Sequence, residues 1–173
     1  MSDELIIREA RPEDRAAVLE ATLAAYEQYA ERMPHWESYQ RHLRSLLGGD
    51  VAPGVCIVAE LGGAIAGSVL LYPASARVYA VESANGPWPE LRLLAVAPAA
   101  RGRGVGAALL EECVRRARAD GEAYLGLHTE DMMAVAQQMY QRRGFARVPE
   151  KDFEPAPGVH VKGYRLPLDE NAA

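Results

Sequence analysis

Val96-Ala97-Pro98-Ala99-Ala100-Arg101-Gly102-Arg103-Gly104-Val105-Gly106-Ala107 is a junction between two periodicities. Before it, Leu91-Arg-Leu-Leu-Ala-Val is an apolar strand that Pro98 stops. After it, residues 104–119 carry Val105, Leu109, Leu110, Cys113, Val114 and Ala117 on one helical side. Glu111/Arg115 and Glu112/Arg116 stand on the other side at i,i+4 in the favourable order. Glycines in such a turn let backbone N–H groups face a ligand with no Cβ in the way. The helix start adds unpaired donors and a positive dipole end. The stretch reads as an anion cradle, with Arg101 and Arg103 adding charge. As a bare pattern, Gly102-x-Gly104-x-x-Ala107 also fits a dinucleotide fingerprint, with Glu130 and Asp131 placed where a ribose-binding acid would stand. That motif normally opens a larger domain, whereas here a β-hairpin precedes it and too little chain follows for a second half-sheet. A nucleoside-triphosphate loop is excluded, since no Gly-Lys-Ser/Thr follows.

Working outward, Leu5-Ile-Ile-Arg-Glu-Ala is a strand, and Arg11-Pro12-Glu13-Asp14 opens a helix through its early proline and acids. A second helix spans 36–47 and stops at Gly48-Gly49. Val55-Cys-Ile-Val-Ala-Glu and residues 64–72 form a hairpin about Gly62-Gly63. Residues 74–89 carry no clear period. Tyr124-Leu-Gly-Leu-His is a strand, and Thr129-Glu130-Asp131 caps a helix with a stripe of Met132, Val135, Ala136, Met139 and Tyr140, ended by Gly144. Residues 145–148 and 159–168 are closing strands. The order β-α-α-β-β-β-α-β-α-β-β predicts an α/β (α+β) fold, with a mixed central sheet and helices on both faces. The expected organisation is one domain over 1–173.

The 173 residues are 49% hydrophobic and 25% charged, as in an ordinary globular chain. No apolar run is long enough for a membrane span, and the N-terminus lacks a signal-peptide pattern. Cys56 and Cys113 sit in apolar patterns without CxxC spacing, so both are expected as buried thiols in a reducing cytoplasm. The net charge of -5 argues against a nucleic-acid binder. Yet Arg92, Arg101, Arg103, Arg115, Arg116 and Arg118 crowd residues 91–118, with only Glu111 and Glu112 against them. A local basic patch on an acidic chain suits a small polyanion. His35, His42, His128 and His160 show no metal-ligand spacing, and no metal is expected.

Arg101-Gly-Arg-Gly104-Val-Gly106 after an apolar strand resembles the acetyl-CoA motif of the GNAT superfamily of N-acetyltransferases, R/Q-x-x-G-x-G/A. Tyr140-Gln-Arg-Arg-Gly144-Phe145 is similar to its second mark, a helix ending in Tyr-x-x-x-Gly-Phe. The resemblance implies a single-domain GNAT-like fold and acetyl transfer to an amine. Backbone groups of Leu94, Ala95 and Val96 would pair with the pantetheine arm. Amides of Arg101, Gly102, Arg103, Gly104, Val105, Gly106 and Ala107 would hold the pyrophosphate. The Tyr140 phenol would protonate the departing thiolate, and Glu90, at the start of the cofactor strand, is the first candidate for base or amine anchor. His128 is a second candidate for moving a proton. Tyr26 and Tyr29, with Trp36 and Tyr39, would line the acceptor pocket. Many relatives have Asn seven residues before the tyrosine, where this chain has Met133.

The expected partner is a small-molecule or peptide amine, with no nucleic acid and no membrane, and a homodimer is compatible with the reading. The competing class is a silent acyl-CoA sensor. Tyr140 favours the enzyme and Met133 leaves room for the sensor.

Overall fold

Alternation along Leu5–Glu9 (β1) sets one edge of a ladder that pairs antiparallel with Val55–Leu61 (β2), from Leu5↔Leu61 to Glu9↔Ile57. In this computed structural model, residues 3–169 are described. Gly62 and Gly63 sit at φ 60° and 84°, the mirror-image turn that matches strand twist, and return the chain into Ala64–Tyr72 (β3). Arg15–Tyr26 (α1) and Trp36–Leu47 (α2) follow β1, and Glu90–Val96 (β4) runs into Val105–Ala119 (α3). Tyr124–Glu130 (β5), Ala134–Arg143 (α4), Ala146–Arg147 (β6) and Val161–Pro167 (β7) complete the order.

Two compact units share this chain. The first takes residues 3–71 and Leu93–Glu112, with strand order β1-β2-β3-β4. Val18, Leu43, Ile57, Val69 and Leu109 are buried in it. The second takes Tyr72–Arg92 and residues 113–169, with order β4-β5-β7-β6. There β4 is parallel to β5, β5 is antiparallel to β7, and Leu125, Leu127 and Leu166 are buried. Strand β4 belongs to both ladders, so the mixed sheet expected from the sequence is present. The chain passes from one unit to the other between Arg92 and Leu93, and Leu93 lies at φ 54°. A branched residue rarely takes that conformation, which costs on the order of 1 kcal/mol.

In the first unit, Arg8 donates to Asp14 at 2.7 Å and to Glu60 at 3.1 Å, and the Arg11 N–H donates to Asp14 at 2.7 Å. The Arg8 guanidinium, more than the opposing effect of burial, holds the Asp14 carboxyl down at about 2 from 3.8. A carboxyl lowered by folding stabilises above its unfolded pKa, and that contribution fades as pH falls through the folded one. Asp14→Asn is therefore expected to cost about 2 kcal/mol at pH 7. The gap from the parent should close between pH 4 and pH 2, and urea melts across that range check it. A gap that stays constant with pH would show that packing, not charge, is what Asn loses.

Three local expectations give way to longer-range contacts. Thr129 and Glu130 do not cap α4: they extend β5 and face Lys162 and Val161 of β7 in the ladder. Asp131 is an ion-pair partner of Lys162 at 2.7 Å, and α4 starts after Met133 with no side-chain cap. The antiparallel partner outweighs a local cap. Val135, placed on the apolar stripe, is 82% exposed, whereas Tyr140 is buried. The strand read at residues 145–148 keeps only its two central residues, because Pro149 turns the chain into a 3-10 helix. Cys113 is buried as expected, while Cys56 is only partly so.

Candidate active site

The loop before α3 is where the sequence places an anion cradle. Gly102 and Gly104 lie at φ 76° and 79°, a backbone open to glycine, and a Cβ on either would meet nothing within 4 Å. The first intrahelical bond runs from the Ala108 N–H to the Gly104 carbonyl, so the preceding amides have no partner within the helix. Behind the loop, Gly67 of β3 lets the helix approach. A Cβ there would fall 2.6 Å from the Ala95 carbonyl oxygen and 3.0 Å from Val105 Cγ1. The two arginine side chains of the loop have partners within the first unit. Arg101 donates to the Ala25 carbonyl at 3.2 Å, a cation at the end of α1, and Arg103 pairs with Asp3 at 2.8 Å.

The end of α1 also gathers the aromatic residues singled out in the sequence. Tyr26 lies against Tyr29 and Tyr39, with ring centroids 6.0 and 5.9 Å apart, and Trp36 lies 6.2 Å from Tyr39. Tyr26 is buried, while Tyr29 is part-exposed. Burial raises the Tyr29 phenol's pKa, and Arg101 and Arg32 oppose the rise. Leu94 and Val96 are half-buried in β4 and Ala95 is buried.

In the second unit a chain of polar groups is built around Glu90, which is 4% exposed. Its Oε1 accepts from the Tyr79 hydroxyl at 2.8 Å and lies 2.6 Å from His128 Nδ1. His128 Nε2 lies 2.8 Å from the Lys151 carbonyl oxygen. A carbonyl only accepts, so Nε2 carries a proton. The short contact on Nδ1 needs a second proton, shared between the imidazole and the carboxyl group. Among the described residues no donor reaches Glu90 Oε2. Tyr79 is pushed well above the ordinary phenol range, first by burial and then by the Glu90 charge. The rings of Tyr79, His128 and Phe153 pack at 4.5 to 5.5 Å, and Arg92 stands 5.0 Å over Tyr79.

Small residues make this cluster possible. A Cβ at Gly126, opposite Glu90 in the ladder, would collide with Trp88 and lie 2.7 Å from Glu90 Oε2. One at Gly163, opposite His128, would lie 2.7 Å from Lys151 Cβ. In the sequence Glu90 and His128 stand out separately, and nothing there joins them. Tyr79, Phe153 and the Lys151 carbonyl belong to no motif, and only the folded chain brings them to the pair. Tyr140 is buried beside Phe145, with centroids 5.8 Å apart, and Gly144 at φ 109° ends its helix. The Thr129 hydroxyl is buried with no partner among the described residues. These residues also contain no group of three or more His, Cys, Asp or Glu able to hold a metal. No helix among them is long and apolar enough to cross a membrane.

Solved structures share this arrangement of strands and helices. A GNAT family acetyltransferase from Brucella melitensis, in complex with acetyl-CoA, is 22% identical. It aligns over 97% of this chain and 90% of its own with a TM-score of 0.64. An acetyltransferase of the GNAT family from Staphylococcus aureus is 17% identical over 96% of this chain and 100% of its own, with a TM-score of 0.72. The PaiA N-acetyltransferase of Thermoplasma acidophilum, in complex with coenzyme A, is 14% identical. It covers 94% of this chain and 99% of its own, with a TM-score of 0.69. At these identities the likeness is one of fold. No curated protein matches the sequence. The family profile described as Acetyltransferase (GNAT) matches residues 16–145, three quarters of the sequence, and the chain belongs to that family of enzymes.

Proposed function

We propose that the chain transfers the acetyl group of acetyl-CoA to a primary amine by direct attack. The observation that carries this is the loop before α3, with two left-handed glycines and open space above them, in a GNAT chain. Amides of residues 101–107 hold the pyrophosphate at the positive end of α3, and backbone groups of Leu94, Ala95 and Val96 pair with the pantetheine arm. Tyr26 and Tyr29 contact the acceptor.

A primary amine is largely an ammonium ion at neutral pH and must lose a proton before it attacks. Glu90 takes that proton, with His128 and Tyr79 fixing its orientation. The nitrogen lone pair then adds to the thioester carbonyl, a C–N bond forms, and the C–S bond breaks with its electrons on sulfur. The Tyr140 phenol gives the thiolate its proton, and the phenolate is restored by the second proton, which the nitrogen releases as it becomes an amide.

A thiol-release assay over a panel of amines tests the reading, and turnover of at least one is the expected result. Acetyl-CoA binding with no thiol release from any amine would favour the sensor, for which Met133 in place of Asn is the motivating feature. Tyr140→Phe keeps the ring against Phe145 and removes the hydroxyl. Turnover is expected to fall about tenfold or more, with cofactor affinity nearly unchanged. Full turnover in that variant would leave Tyr140 as packing alone.

A further inference from the structure

Among the described residues Glu90 is held through Oε1 alone, by Tyr79 and His128. A carboxylate turns broadly about its last bond, so its aim depends on how firmly those two partners are held. Tyr79 lies between β3 and β4 on no strand or helix, and the His128 ring leans on the carbonyl of Lys151. Asn85 holds the first of these arms. Its Oδ1 accepts from the Val78 and Tyr79 N–H groups at 2.9 and 3.1 Å. Its Nδ2 donates to the Tyr79 and Val81 carbonyls at 2.9 and 3.4 Å. A side-chain amide has two donor hydrogens and two lone pairs on its oxygen, and here all are spent on the main chain around Tyr79. The main-chain carbonyl of Asn85 then accepts from Lys151 Nζ at 2.9 Å. Lys151 thus bonds twice, through its ammonium to Asn85 and through its carbonyl to His128. The path from Glu90 through Tyr79, Asn85, Lys151 and His128 returns to Glu90 Oε1. The Phe153 ring packs on both arms, 5.1 Å from Tyr79 and 5.5 Å from His128.

We propose that Asn85 and Lys151 are positioning residues for Glu90, closing the ring that fixes Oε1 and so leaving Oε2 to take the proton of the amine. This rests on the reading of Glu90 as the base. Both residues act through Tyr79 and His128. Lys151 works on the two arms at once, because its charge-assisted bond to Asn85 ties the segment carrying Tyr79 to the carbonyl that steers His128. Without that bond each arm keeps its local contacts, but the two move independently. A reacting group displaced by about 1 Å can lose about a hundredfold in rate.

The test compares the parent with Asn85→Ala, with Lys151→Met and with Lys151→Arg. Lys151→Met removes the ammonium but keeps every main-chain bond, so it reports even where Asn85→Ala unfolds. Lys151→Arg restores a charged donor. The His128 side chain is 5% exposed, whereas His35, His42 and His160 are exposed, so its ring N–H protons are the ones that persist in proton NMR. In Lys151→Met and Asn85→Ala those signals are expected to broaden into exchange with water, and in Lys151→Arg to remain. Turnover of a responsive amine should fall about tenfold in the first two variants, with KM for acetyl-CoA unchanged. Lys151→Arg should recover most of it. Signals retained in Lys151→Met, losses that Lys151→Arg does not repair, or full turnover alongside lost signals would each overturn the proposal and leave the acetyltransferase reading intact. The NMR arm needs no turnover. Signals lost in Lys151→Met and kept in Lys151→Arg support the ring even if the parent acetylates no amine, and then the acetyltransferase reading alone falls.

Discussion

Gly104→Asp is expected to lower coenzyme A affinity about a hundredfold, or about 2.7 kcal/mol, while the fold survives. The position separates binding from stability unusually well. At φ 79° only glycine is unstrained, but aspartate and asparagine are the side chains that tolerate this region best. A Cβ there meets no atom within 4 Å, so nothing collides in the free protein. The carboxylate would instead stand where the pyrophosphate needs to sit, and like charges brought together at a binding face cost several kcal/mol. Gly104→Asn carries the same shape and backbone penalty without charge, so it should lose much less affinity. Calorimetry with coenzyme A on the parent and both variants decides the matter. Equal affinity in all three would place the pyrophosphate elsewhere, and tight NADH binding by the parent would restore the dinucleotide reading.

Glu90→Gln is expected to lower turnover at neutral pH about a hundredfold, at the lower end for loss of an acid–base group. Coenzyme A affinity should hold. Stability should not, and the reason lies in the hydrogen-bond inventory. Glutamine can accept from Tyr79 or donate to His128 Nδ1, but it has no proton to share. If its oxygen serves both donors, His128 becomes a buried cation without a counter-charge. If its amide nitrogen turns to His128, the Tyr79 hydroxyl is orphaned. Either outcome costs about 1–3 kcal/mol. The pH–rate profile then divides the roles. Recovery of turnover at high pH, where the amine is already neutral, identifies Glu90 as the base, and no recovery makes it an anchor. Unchanged turnover with a lowered melting temperature would make the cluster a structural device only.

What the sequence disclosed follows from how local each feature is. The hairpin at Gly62-Gly63, the cradle at Gly102 and Gly104, and the stop at Gly144 are demands for left-handed backbone, which glycine announces. Leu93 makes the same demand invisibly, because leucine ordinarily avoids that region. Glu90 and His128 were each legible, but the bond between them spans 38 residues and rests on parallel pairing of β4 with β5. Tyr79 lies in the stretch with no period, and only its hydroxyl contact with Glu90 gives it meaning. Glu130 was read as part of a helix cap. Nothing in Thr129-Glu130-Asp131 reveals that β7 would claim two of the three.

Neither compact unit is a continuous piece of chain, and this governs how the molecule can be made. The first unit opens at the N-terminus but closes only with Leu93–Glu112. Between these parts a ribosome must emit Tyr72–Arg92, which belongs to the other unit. A nascent chain that has reached Arg92 holds β1, β2 and β3 with the far side of β3 unpaired and the hollow at Gly67 unfilled. Such an exposed edge invites chaperones and stray strands. The first unit can close only once Glu112 has emerged and the second only after β7, so a message cut short before codon 112 yields neither.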